Sequence, residues 1–159
     1  MATAYVISVF LHIVFAAFWI GGMLFLPLVL LPTIINANNR VSLLHKTGIK
    51  FRFYGWIALI GLLVTGVYNI YAKGLPFSWE FLSENSYGQL LGIKLIVFAL
   101  MLIIGAIHDF YFGNKAIEEM NQTNKSTLKN IARWSGRINL LLALVIAFLG
   151  VAISRGGLF

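Results

Sequence analysis

His12 stands in the run LHIVFAAFWIGG, residues 11–22, where every other side chain is apolar or absent. An imidazole surrounded by hydrocarbon needs a hydrogen-bond partner or something to hold. Its neighbours at helical spacing are Ala16, Trp19 and Met23, which place the imidazole, a small residue, a flat wall and a soft thioether on one stripe. A second stripe combines Lys94, Phe98, Met101, Gly105 and His108, with Gly105 leaving space one turn before the histidine. Ligand-type residues beside small ones, with flat or soft ones beyond, are what a planar apolar cofactor held edge-on between helices requires. Each residue also has a plainer use. A histidine in a span can hydrogen-bond across helices, Lys94 can snorkel to the interface, and Trp19 can be packing. His45 lies in a basic stretch, as a solvated residue would. Arg133 and Arg137, four apart, can anchor topology or pair with phosphate or carboxylate.

These residues must be positioned by helices in a membrane. The chain has 159 residues, 60% hydrophobic and 11% charged, with mean hydropathy +0.88. Soluble domains carry about a quarter charged residues. Apolar runs long enough to cross a bilayer fall at about residues 4–35, 53–71, 88–112 and 138–154. The expected fold is therefore all-α: a single integral membrane domain, an antiparallel four-helix bundle. Pro27 and Pro32 kink the far end of the first span. The segments NANNRVSLLHKTGIKFR and GNKAIEEMNQTNKSTLKNIARWSGR read as polar connections, and AKGLPFSWEFLSENS as a short interfacial loop. The apolar start lacks a basic leader and reads as a retained span.

The net charge of +7 does not indicate nucleic acid, because the basic residues cluster at the ends of apolar runs. The absence of cysteine excludes disulfides, thiolate clusters and covalent haem attachment. Arg40, Lys46, Lys50 and Arg52 lie in the first connection, and Lys115, Lys125, Lys129, Arg133 and Arg137 in the third. The positive-inside rule puts both in the cytoplasm and both termini outside, in a bacterial inner membrane. No deep acidic residue serves proton-driven transport, and the methionines are scattered rather than clustered for copper.

Orientation fixes depth. At the helical rise His12 lies roughly 12 Å and Lys94 about 9 Å below the outer face, with Thr65, Tyr68 and Asn69 near the same layer. His108 lies about 30 Å down, near the inner face. Bis-histidine iron needs ring nitrogens about 4 Å apart. His12 and His108 are thus expected to serve separate sites, or one of them to be structural.

The segment LHIVFAAFWIGGMLFLP, with its His, the Trp seven residues on and a pair of glycines, resembles the first span of the CopD-like and HemJ-like membrane proteins. KFRFYGWIALIGLLVTGVYNI resembles the second span of the copper-resistance CopD group, and SYGQLLGIKLIVFALMLIIGAIHDF the third span of both. ARWSGRINLLLALVIAFLGV is a looser match to the fourth. The HemJ resemblance implies haem b, protoporphyrinogen IX oxidation, and functional His12 and Lys94. Two features of that group, an arginine after the Leu-Pro and an Asn-Glu-x-Pro before the fourth span, are absent here. The CopD resemblance implies copper.

Residues and resemblance together predict a b-type cytochrome for electron transfer or redox chemistry on a membrane-soluble substrate. The alternatives are a HemJ-like oxidase and a copper-handling protein without haem. The cofactor-binding set is His12, Trp19, Lys94, His108 and Arg137, with His12 and His108 as metal ligands. The expected partners are haem, lipid, a quinone, porphyrin or redox protein, and a second copy of the chain through the glycine-bearing faces.

Overall fold

The computed structural model describes residues 2–109 and 126–156, with backbone alone for 126–132. Helix α1 (Ala2–Phe25) runs through uninterrupted apolar sequence. Pro27 has no N–H to give to the carbonyl four residues back, so the helix cannot continue in regular form. It passes into a π-helical segment, Leu26–Leu30, and closes with one turn, Leu31–Thr33. Helix α2 (Arg40–Ala72) ends where Gly74 takes φ +64°, a left-handed stop that suits glycine. A short α3 (Trp79–Glu84) is capped by Ser78, whose Oγ accepts the Phe81 N–H at 3.2 Å. Helix α4 (Ser86–Ile107) is capped by Asn85, whose Oδ1 accepts from Tyr87 N–H at 2.9 Å and Gly88 N–H at 3.3 Å. Helix α5 is Ser126–Ser154. Among the described residues there is no strand. Four helical stretches there are long and apolar enough to span a membrane: Ala2–Thr33, Arg40–Ala72, Ser86–Ile107 and Arg133–Ser154. The protein is an all-α, multi-pass membrane protein.

The chain forms two compact units, Met1–Leu75 and Pro76–Phe159. Unit one is an antiparallel hairpin of α1 and α2. Its contacts run in opposite directions along the two helices: Ser8 and His12 meet Thr65, Phe15 meets Gly61, Trp19 meets Gly55 and Phe51 covers Gly22. Unit two packs α4 against α5 in the same antiparallel sense, with Lys94 beside Gly150, Gly105 beside Asn139 and His108 on Ser135. The outward faces remain apolar, as at Phe10, Ile60, Ile96 and Phe148, which suits contact with lipid.

Three expected boundaries shift. The first connection is largely helical, because α2 starts at Arg40 rather than near Phe53. Phe51 explains the extension: it stacks on Trp19 at 5.6 Å, so packing against α1 continues into the basic stretch. The middle connection holds α3 instead of loop alone; the Phe81 carbonyl sits where a side chain at Gly88 would be. Arg133 and Arg137 lie on α5, which begins at Ser126, before the expected fourth span. The expected third span ends at 112, and its last residues, with Lys115 and Lys125, lie outside the described residues; of Lys129 the backbone alone is described.

Candidate functional site

In the first hairpin, α1 carries His12 half-buried toward α2, with its Nδ1 2.8 Å from Thr65 Oγ1. Thr65 is buried, and its Oγ1 lies 2.6 Å from the Gly61 carbonyl one turn back. A threonine hydroxyl has one proton. That proton is donated to the Gly61 carbonyl, so Oγ1 accepts from His12, and Nδ1–H is the donor. Nδ1 therefore carries a proton, and the ring is fixed with Nε2 on its far side. A ring nitrogen held in this way is the usual arrangement behind a metal-ligating histidine. Gly66 lies beside the ring: a Cβ there would be 3.4 Å from His12 Cε1, in ordinary contact. Ser8 adds a second tie one turn earlier, its Oγ donating to the Thr65 carbonyl at 3.4 Å.

Trp19, two turns along the same stripe, is 6% exposed. Its ring lies 13° from parallel to Phe51, and the benzenoid edge is set against Gly55, 2.5 Å from a notional Cβ. The indole Nε1 belongs to the opposite edge and is buried with no hydrogen-bond partner among the described residues. Of the glycine pair, only Gly22 is in close contact; Gly21 has nothing within 4 Å.

In the second hairpin the expected stripe faces α5. Lys94 is half-buried, with Nζ 3.3 Å from the Cβ position of Gly150. Met101 is 2% exposed and Gly105 is buried. His108, at the end of α4, has Nδ1 2.7 Å from Ser135 Oγ. Asn139, one turn beyond Ser135, is buried with its Nδ2 beside Gly105, and its Oδ1 has no hydrogen-bond partner among the described residues. Arg137 is exposed, its guanidinium 5.3 Å over the Trp134 ring. Arg133 is exposed as well, and His45 is half-buried on α2.

Each hairpin thus brings one histidine to a hydroxyl on the opposite helix. Among the described residues no three His, Cys, Asp or Glu gather as a metal cage. Single imidazoles suit cuprous copper in low coordination, or an axial position on haem iron. Sequence reasoning placed Thr65 at the depth of His12 but not as its partner, and it missed Ser8, Ser135 and Asn139. A usable signal existed, since polar side chains in otherwise apolar spans are interhelical partners by default.

Comparison with known proteins gives three findings. A family model described as copper resistance protein D matches residues 45–153. An uncharacterised protein of Aquifex aeolicus is 34% identical over 149 residues, covering 92% of this chain and 93% of that protein. The copper transport protein CutJ of Bacillus subtilis is 30% identical over 99 residues, covering 62% of this chain but 18% of CutJ. No solved structure matches.

Proposed function

Because the chain belongs to the copper resistance protein D family, we propose that it handles copper within the membrane, with His12 Nε2 as the ligand atom for the ion. The observation that carries this reading is the hydrogen-bond chain from His12 Nδ1–H through Thr65 Oγ1 to the Gly61 carbonyl. It orients the imidazole through Nδ1 and leaves Nε2 as the ring nitrogen that would bind copper when neutral. Copper is the cargo here, and a ligand set short of a closed cage suits an ion that must also leave. The setting is a bacterial inner membrane with both termini outside.

A second reading, a haem b protein, is favoured by a different observation. Trp19 Nε1 is a buried donor with no partner among the described residues, on the stripe of His12 and about 10 Å from it at the helical rise. A haem carried on His12 could present a propionate to that N–H. The group would supply one-electron redox chemistry, while His12 would hold it and Trp19 would orient it. Lys94 enters this reading by its depth in the sequence alone. Quinone, porphyrin, a redox protein and homodimerisation belong with it.

Cuprous titration of the detergent-purified full chain against a chromophoric chelator, together with its visible spectrum, separates the readings. Bound copper lost in His12→Ala, with no Soret band, is the expected result. A Soret band lost in the same variant establishes haem instead. A colourless protein whose copper binding ignores His12→Ala overturns both.

A further inference from the structure

We propose that Lys46 and Lys50 of α2 form a headgroup site for an anionic phospholipid, on the membrane side where the α1–α2 hairpin turns. The placement starts from the helical period. Lys46, Lys50, Phe53, Ile57, Ile60 and Val64 follow one another at spacings of 4, 3, 4, 3 and 4, so they form a single face of α2. All six are exposed. Gly55, Ala58, Leu62 and Thr65 repeat at the same period on the other face and are buried, Gly55 under Trp19 and Thr65 against His12. From Phe53 onward the exposed face is apolar and turns to lipid. The two lysines continue that same face for two further turns.

The hairpin also fixes their depth. Phe51 covers Gly22, so counting away from that contact sets Lys50 and Lys46 about level with Met23 and Pro27 of the antiparallel first span. Phe25, between those two, is 50% exposed, and Leu28, just beyond, is 68% exposed. Apolar side chains so open belong in lipid, which keeps this level inside the bilayer. From Ala2 to Pro27 the span runs about 38 Å, beyond a hydrocarbon core of about 30 Å and within the 40–45 Å that includes the headgroups. A lysine there, on a lipid-facing side, extends its ammonium along the apolar surface to the phosphate layer. Beside the two lysines, Phe53 and Tyr54 pack edge to face, with centroids 5.3 Å apart, and both are exposed. The ammonium groups, one turn apart, offer charge to a phosphodiester, and the rings offer an apolar seat to the glycerol and first acyl carbons. Charge complementarity selects an anionic lipid over a zwitterionic one, whose own cation opposes the lysines.

This site does not depend on what His12 binds. The full chain in neutral detergent is titrated with phosphatidylglycerol and with phosphatidylcholine, and bound lipid is counted by native mass spectrometry. We expect wild type to bind phosphatidylglycerol about tenfold more tightly than phosphatidylcholine, and the double variant Lys46→Gln, Lys50→Gln to lose that preference. Lys46→Arg with Lys50→Arg keeps it, which separates loss of charge from loss of fold. Arg133→Gln with Arg137→Gln removes as many charges from the other basic segment and also keeps it. Equal binding of the two lipids by wild type overturns the proposal, as does an undiminished preference in the double glutamine variant. Equal loss in the Arg133 and Arg137 variant shows diffuse charge attraction instead of a site and overturns it too. Displacement of the lipid by an equal concentration of glycerol phosphate assigns the lysines to a soluble phosphate and overturns the lipid source.

Discussion

At the scale of single residues, Thr65 has the greatest reach. Its side chain joins two groups, the His12 imidazole and the Gly61 carbonyl of its own helix, and its backbone carbonyl accepts from Ser8. Thr65→Val keeps the shape and removes the hydroxyl. His12 Nδ1–H is then left without its acceptor, at a cost of about 1–3 kcal/mol. Metal or haem affinity at His12 should fall about 10–100-fold, while Thr65→Ser should restore most of it. Affinity measured beside thermal unfolding checks the prediction. Equal affinity in the valine and serine variants would show that the hydroxyl has no part in orienting the ring.

At the scale of the helical element, glycines set how closely α1 and α2 approach. Gly55 and Gly61 receive the rings of Trp19 and Phe15, and Gly22 receives Phe51, whereas Gly21 meets nothing within 4 Å. Gly55→Leu should therefore overpack the hairpin and destabilise the protein by about 1–3 kcal/mol. Gly21→Ala should be neutral or stabilising by up to about 1 kcal/mol, through helix propensity alone. Unfolding of both variants in one detergent tests the contrast. Comparable losses would mean that the two helices do not pack through the Gly55 face. The same packing explains why α2 reaches back to Arg40: Phe51 finds Trp19 and Phe18 as partners, and the helix continues through residues whose charges suggested a loop.

At the scale of the whole molecule, the distribution of Lys and Arg sets the expected topology. The chain has no cysteine, so an introduced thiol reports only its own position. Glu84→Cys, in the middle connection, should react with a membrane-impermeant thiol reagent in intact cells. Asn38→Cys, in the first connection, should react only after permeabilisation. The reverse pattern would invert the protein and place the His12 layer near the cytoplasm.

The number of apolar spans, the helical class and the two histidine-containing stripes were legible in the sequence, because hydrophobicity and helical period are properties of a segment by itself. The face of α4 bearing Lys94, Gly105 and His108 is the one the structure packs against α5. What the sequence alone left open was which polar residue answers each histidine. Thr65 lies 53 positions from His12 and Ser135 lies 27 from His108. Only the register of each hairpin decides such pairs, and that register comes from aromatic rings seated on glycines. That His12 donates from Nδ1 is likewise a tertiary fact, since it depends on where the one proton of Thr65 goes. The burial of Asn139 is tertiary too: it is an ordinary polar residue in the sequence, and only the α4–α5 packing sets its amide Nδ2 against Gly105.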